Sequence, residues 1–318
     1  MKRIGNLYEK ICSIDNLILA EKKARRGKSK QRGVKLFDRN KEDNLISLHH
    51  VLVNLEYKTS KYHVFKIFEG KEREIFRLPY FPDRIVHHAI MNILEPIFVS
   101  TFTKDTYSCI KNRGIHKASH SLRKSLKSKE FKYCLKLDIQ KFYPNIDHTI
   151  LKTLLRKKFK DRDLLKILDE IIESTEGIPI GNYLSQWFAN FYLSDFDHWL
   201  KEIKSIKHYF RYCDDVCILG ETKEELHRLL FNIRVYLHRE LKLKIKSNYQ
   251  IFLIKSRGID FVGYVHYEDY TLLRPSIKRR FIRMIKHNKN NKSIASYNGW
   301  LTHCNSINLR NTYIKHEK

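Results

Sequence analysis

No apolar run approaches the roughly 20 residues that a membrane-spanning helix needs, and the opening Met1-Lys2-Arg3-Ile4-Gly5 lacks an apolar signal core. Neither a spanning nor an exported protein is expected, which leaves a cytoplasmic one. Cysteine is sparse and scattered: Cys12, Cys109, Cys134, Cys213, Cys217 and Cys304 form no CxxC pair and no Cys/His spacing of a zinc site. They read as reduced, mostly buried small hydrophobes, with packing favoured over a redox pair for Cys213 and Cys217. There is no internal repeat and no low-complexity tract. Acids are few, 35 against 62 lysines and arginines, for a formal net charge of +27. An excess of this size points to a polyanionic partner, nucleic acid before an anionic membrane, and without a membrane segment nucleic acid remains. At 318 residues the chain can bury a sizeable core, as one elongated multi-lobed unit or as two domains.

The stretch from Phe210 to Leu219 sets two adjacent carboxylates, Asp214 and Asp215, between two runs that each read as a buried strand, so a β-hairpin with the acids at its tip is expected. Neighbouring negative charges beside buried strands need a compensating cation, because repulsion and desolvation otherwise drive one of them to bind a proton. For this pair alone, a solvated Asp-Asp turn is the competing reading. A second run, Phe131 to Asp138, alternates and then turns apolar like a strand ending in an acid, and Ile139 to Asp147 reads as a turn entering a helix. An acid at a strand end beside an acid pair on a hairpin suits two Mg2+ ions, hard cations that take carboxylate oxygens and keep positions open for phosphate.

Together these stretches resemble a reverse transcriptase. Leu137 to Tyr143 is similar to the first palm motif, Tyr212-Cys213-Asp214-Asp215 to the YxDD box, and Gly177 to Gln186 to the motif between them, in the family's order. In the third motif most bacterial and retroviral members carry Gln before the glycine and Pro after the serine; here Ile180 and Gln186 stand at those positions. Ile180, Gly181, Ser185 and Gln186 are similar to the pattern in reverse transcriptases of diversity-generating retroelements, bacterial and phage enzymes that copy a template-repeat RNA into mutated cDNA. The YxDD box departs from that group, with Cys213 where many members have Met.

The resemblance implies an α+β right-hand polymerase fold: a helical extension with a basic loop over 1–60, fingers over 61–130, a palm on an antiparallel sheet over 131–265 with fingers helices at about 148–175, and a short helical thumb over 266–318. It implies catalysis and metal binding by Asp138, Asp214 and Asp215, with the carbonyl of Ile139 completing a shell for two Mg2+ ions. The segment Thr103 to His116 is similar to the fingers motif that meets the incoming dNTP, with Lys104, Lys111 and Arg113 supplying charge, although Ile110 stands where the usual pattern has Arg. Tyr143 matches the residue that excludes a ribose 2′-hydroxyl, and Ile180, Gly181 and Gln186 complete the nucleotide site. Phe261, Gly263 and Tyr264 resemble the primer-grip turn, and Lys246 is the nearest candidate for a general acid. The implied partners are template RNA, the RNA/cDNA duplex, dNTP and, as in the resembling family, a small, basic, oligomeric helical accessory protein. A reverse transcriptase of antiphage defence copying a noncoding RNA, and a non-catalytic RNA-binding module, are the rival readings. No endonuclease, maturase-specific or RNase H segment is recognisable, so those activities are expected from another protein.

Elsewhere, Ile4, Leu7, Ile11, Ile14 and Ile18 stand at helical spacing and predict one opening helix. Helices are also expected over 40–54, from Pro82 to Pro96, over 148–173, after Gly181 with Trp187, Phe188, Phe191 and Tyr192 as core, from Glu221 to Glu240, and in two basic segments, Ser276 to Lys292 and Ser293 to Cys304. A hairpin is expected over 62–79 around Glu69-Gly70-Lys71-Glu72, and strands with a basic face from Leu241 to Leu253. His87 and His88 lack neighbours at ligand spacing and read as helix surface or core. The run from Lys22 to Arg32 is read as an RNA-phosphate contact. Neutralising Lys22, Lys23, Arg25 and Arg26 is expected to flatten the dependence of log RNA affinity on log salt, measured by anisotropy; an unchanged slope places the RNA elsewhere.

Overall fold

Apolar spacing from Ile4 to Ile18 predicts one helix, yet the computed structural model, which describes residues 3–68, 70, 72–287 and 291–313, has two, Tyr8–Cys12 and Ile14–Ala24. Ser13 is non-helical (φ −56°, ψ 141°) and its hydroxyl accepts the Asn16 amide, so it opens a new helix instead of extending the old one. The break resets the buried face: Leu17, Ala20 and Ala24 go inside, while Ile18 is left 46% exposed.

The chain forms two compact units, each assembled from separated stretches: residues 1–103, 141–197 and 238–243 in the first, and 104–140, 198–237 and 244 onward in the second. In the first unit, β1 (His63–Phe68) pairs antiparallel with β2 (Glu72–Arg77), with Val64 opposite Phe76. This is the expected hairpin; of its tip, Glu69 and Lys71 lie outside the described residues. The helix expected from Pro82 with Ile85, Ala89, Ile93 and Ile97 on its apolar face spans Ile85–Thr101, with Pro96 inside it. An interior proline costs about 3 kcal/mol, and the aromatic cluster formed by the last turns offsets it. Phe98 packs against Phe191 (ring centroids 5.0 Å), Phe159 (6.0 Å) and Trp187 (6.3 Å), all buried.

Trp187, Phe188, Phe191 and Tyr192 lie on the helix Tyr183–Tyr192 and are core, as their stripe predicts. His87 is fully buried and its pKa is pushed down to about 3 by desolvation, while His88 stacks on Tyr183 at 4.3 Å. Two acids, the buried Glu21 and the half-buried Asp161, tie loops to helices. Glu21 accepts the Tyr80 hydroxyl (2.7 Å) and Arg25 Nε (2.6 Å). Asp161 caps the helix Arg162–Glu173 through Leu164 N and accepts Leu7 N (2.7 Å) and Tyr8 N (3.0 Å) with its other oxygen.

The second unit holds a four-stranded antiparallel sheet in the order β4 (Tyr209–Tyr212), β5 (Asp215–Gly220), β3 (Tyr133–Asp138), β6 (Gln250–Leu253). A smaller antiparallel sheet joins β7 (Ile259–Phe261), β8 (Tyr264–His266) and β9 (Thr271–Leu273). Helix Ile115–Leu126, which the sequence reading did not anticipate, packs with Cys134, Cys217, Phe261, Tyr264 and Phe281 in one buried cluster. Cys134 and Cys217 meet there with sulfurs 3.5 Å apart, as packing residues. The strands predicted over 241–253 reduce to β6. Lys242 takes a left-handed φ of 52° after the helix Lys223–Leu241, and the following residues close the end of β3 with a single bridge between Ile139 and Ile245. The two basic segments become the helices Pro275–His287 and Asn291–Leu301, a further helix not anticipated in the sequence spans Ile307–Tyr313, and 288–290 and 314–318 lie outside the described residues. Among the described residues no helix is long and apolar enough to cross a membrane.

Candidate active site

The hairpin of β4 and β5 turns through two residues, Cys213 and Asp214, and Asp215 opens β5 directly opposite Asp138, the last residue of β3. The register of one sheet thus brings three acids to one edge. Ile139 N donates to the Asp214 carbonyl at 3.3 Å, Gln140 N to Lys244 O at 2.8 Å and Lys246 N to Asp138 O at 2.9 Å, so the backbone on both sides of Asp138 is pinned. The Ile139 side chain is fully buried, so only its backbone is available as a ligand.

The carboxylates are crowded. Burial, and then the charge of Asp138, push the Asp214 pKa up to about 7, and burial also raises that of Asp215 against the lowering effect of Lys136. Two lysines partly balance the charge: Lys246 Nζ lies 2.5 Å from Asp138 Oδ1, and Lys136 Nζ lies 3.6 Å from Asp215 Oδ2. The Lys246 contact is one of charge without hydrogen-bond alignment, and the buried Oδ1 atoms of both Asp138 and Asp215 have no aligned donor. Lys136 also donates to the Asp260 carbonyl.

Among the described residues no three acid, His or Cys side chains enclose an ion by themselves. Underserved carboxylate oxygens in a desolvated, mutually repelling set nevertheless fit Mg2+, a hard cation that fills its remaining positions with water and substrate phosphate. Asp138, Asp214, Asp215 and the Ile139 carbonyl are the residues available to hold it.

The turn is held on its other side by the segment 105–108. Thr106 and Arg211 form a parallel bridge, with Arg211 N donating to Asp105 O and Tyr107 N to Arg211 O, each at 3.0 Å. Ser108 Oγ accepts Cys213 N at 3.1 Å, and Arg211 Nη1 donates to Cys213 O at 3.0 Å. A hydrogen bond from Cys213 and burial raise the pKa of the Cys109 thiol. Of the expected triphosphate contacts, Lys104 and Lys111 are exposed, whereas Arg113 Nη1 donates to the Thr106 carbonyl at 3.0 Å, and Ile110 is core. Lys136, Thr106, Ser108 and Arg211 were missed in the sequence. The one signal available was an Arg inside the otherwise aromatic run Tyr209 to Tyr212.

Phe261 and Tyr264 flank the turn Val262–Gly263 between β7 and β8, and both side chains are fully buried. The Tyr264 hydroxyl donates to Trp300 O at 3.1 Å. A Cβ on Gly263 (φ 88°) would lie 2.4 Å from the Trp300 ring.

The other candidates belong to the first unit. Tyr143 begins a short 3-10 turn, its ring edge-on to Phe142, and its carbonyl accepts Ile178 N at 2.9 Å. Ile180 is half-buried and its carbonyl accepts Phe76 N at 2.8 Å, which fastens the motif to β2. Gln186 is exposed on its helix. Lys22 and Arg26 are exposed, Lys23 donates to Asn92 Oδ1 at 2.6 Å, and Arg25 is paired with Glu21 and with Asp38 at 2.5 Å.

A sheet edge of this kind, with opposed carboxylates on adjacent antiparallel strands, defines the palm of a template-directed polymerase. Residues 59–266 match the family described as reverse transcriptase (RNA-dependent DNA polymerase), and the chain belongs to that family. It is similar to protein YkfC of Escherichia coli (23% identical, covering 61% of this chain and 63% of that protein) and to the group II intron-encoded protein LtrA of Lactococcus lactis (20%, covering 61% and 44%). The chain therefore spans less than two thirds of either relative. Telomerase from Candida albicans, solved with a fragment of telomeric RNA, shares the fold at a TM-score of 0.53 and 11% identity over 75% of this chain and 52% of that one. Apo telomerase from Candida tropicalis superposes at 0.51 and 12% identity, covering 66% and 48%. The fold class is accordingly that of a reverse transcriptase, α+β with antiparallel sheets.

Gly181 provides a local check on the nucleotide motif. Its φ of 121° is open to glycine, and a Cβ there would lie 2.7 Å from the Phe76 carbonyl oxygen. Gly181→Ala is expected to cost about 2 kcal/mol through strain and displacement of β2, seen as a lower urea midpoint and faster proteolysis near residues 72–77. An unchanged midpoint would show that β2 is free to move aside.

Proposed function

We propose that the protein is an RNA-directed DNA polymerase that makes error-prone cDNA from a template-repeat RNA, as enzymes of diversity-generating retroelements do. The polymerase reading is carried by one observation: Asp138 and Asp215 stand opposite one another with Asp214 at the adjoining turn, in a chain that belongs to the reverse transcriptase family. When bound by Asp138, Asp214, Asp215 and the Ile139 carbonyl, two Mg2+ ions supply acidification of a primer 3′-hydroxyl and stabilisation of charge on the attacking and leaving oxygens. The chain itself supplies the rest. Lys246, an ammonium already at Asp138, is the candidate donor to the departing pyrophosphate. Tyr143 limits room for a ribose 2′-hydroxyl, Lys104, Lys111 and Arg113 add positive charge for the triphosphate, and the turn at Phe261, Gly263 and Tyr264 steadies the primer. The proposed division is a helical extension over 1–60, fingers over 61–130, palm over 131–265 and thumb over 266–318, with Lys22, Lys23, Arg25 and Arg26 gripping RNA phosphates. The +27 net charge supports a nucleic-acid substrate. A small, basic, oligomeric helical accessory protein is the proposed protein partner.

Changing Asp214 and Asp215 together to Ala is expected to abolish primer extension and leave RNA affinity nearly intact, because affinity rests on Lys and Arg contacts to phosphate. Extension by the double variant would refute the carboxylate assignment, and equal loss of binding would assign the pair to folding.

The diversity-generating reading rests on Ile180. A Gln at this position of the motif can make polar contacts near the nascent pair, whereas a branched aliphatic can neither donate nor accept a hydrogen bond. One such contact is worth about 1 kcal/mol, or several-fold in selectivity, so Ile180 contributes to error without being its whole source. The wild-type enzyme is expected to misincorporate readily, most of all opposite template adenine, and Ile180→Gln to lower that rate while activity persists. Sequencing of cDNA made by both forms on one RNA decides this: high wild-type fidelity would favour the antiphage-defence enzyme instead.

A further inference from the structure

Arg211 is among the largest fully buried side chains of the chain, 0% exposed, two residues before the turn that carries Asp214. A guanidinium removed from water has to find fixed acceptors, and its planar fork lets it bind more than one in a set geometry. Here Nη1 donates to the Cys213 carbonyl at 3.0 Å and Nη2 reaches Thr106 Oγ1 at 3.5 Å. From the other side, Ser108, also 0% exposed, accepts the Cys213 amide at 3.1 Å. Cys213 has a φ of 54°, a left-handed conformation that a residue with a Cβ keeps only where its surroundings over-determine it. Both polar groups of this residue are thus fastened to side chains, and those side chains are fastened in turn. Thr106 pairs with Arg211 along the edge of β4, and Arg113 holds the Thr106 carbonyl at 3.0 Å.

We propose that Arg211 and Ser108 are positioning residues of the polymerase site, clamping the Cys213 peptide groups so that Asp214 is presented to the metal ions against the repulsion of Asp138. The inference rests on the polymerase reading above. It also gives the segment 105–108 a task distinct from triphosphate contact: it is the anvil against which the catalytic turn is pressed. Lysine does not replace Arg211, because a compact ammonium lacks the two-directional fork that spans Cys213 O and Thr106 Oγ1. Neither residue touches the reacting atoms, so the effect on Asp214 is indirect.

The test uses the full chain with an RNA template and DNA primer, comparing wild type, Ser108→Ala, Arg211→Lys and the double variant. Mn2+ binding to the metal-free protein is titrated by electron paramagnetic resonance, alongside thermal unfolding, duplex affinity and single-nucleotide extension. Ser108→Ala removes one buried hydroxyl and should leave duplex affinity and the unfolding temperature near wild type. It should raise the Mn2+ concentration for half-saturation about fivefold, the equivalent of one hydrogen bond, and lower kcat with little change in KM for dNTP. Arg211→Lys should do more of the same, and the double variant less than the product of the two, because both act through one residue, Cys213. Wild-type Mn2+ affinity and kcat in folded Ser108→Ala would overturn the proposal, even if Arg211→Lys unfolds. Wild-type protein that binds Mn2+ poorly and extends no primer would refute the polymerase reading and this inference with it.

Discussion

Three carboxylates at one sheet edge repel each other, and the second unit is arranged around containing that repulsion. The cost is electrostatic and local: Asp214 is driven toward the protonated form by burial and by Asp138. Antiparallel register enforces the arrangement, because β3 and β5 align Asp138 with Asp215 whenever Leu137 faces Val216 and Leu135 faces Ile218 in the core. A slip of one residue would turn those apolar side chains out of the core. Hydrophobic burial therefore supplies the free energy that holds like charges together, and Lys136 and Lys246 moderate what remains.

The first unit solves a different problem, that of fixing loops to helices. Glu21 and Asp161 each use a carboxylate on elements far apart in the chain, and both receive donors from more than one direction. The aromatic packing around Phe98 gives this unit a dense centre, on which the helix through Pro96 depends.

What was legible in the sequence follows from which residues have a single plausible use. The strands that carry Asp138 and Asp215 could be read from their apolar runs, whereas a solvated turn competed for the acid pair until the separate motifs were taken together. The aromatic stripe from Trp187 to Tyr192 was equally transparent, because only a core accommodates so much apolar area. Residues whose role depends on tertiary partners were not. The break at Ser13 is a capping event hidden within uninterrupted apolar spacing, and Leu241 to Leu253 alternates like a strand although only 250–253 forms one and 244–246 bonds at the end of β3. Arg113 reads as a triphosphate contact, and in the fold its Nη1 donates to a backbone carbonyl. Arg211 is buried against the ordinary habit of its type, and no local pattern says which carbonyl it serves.

The turn at Gly263 leaves no clearance below the Trp300 ring. Trp300 sits on the helix Asn291–Leu301, and its carbonyl is also the acceptor for the Tyr264 hydroxyl. The hairpin and that helix are therefore joined by a close steric approach and a hydrogen bond, and a side chain added at Gly263 would displace one from the other. The two are neighbours in space although β8, β9 and the helix Pro275–His287 lie between them in the chain, so residues far apart in sequence share one packing constraint.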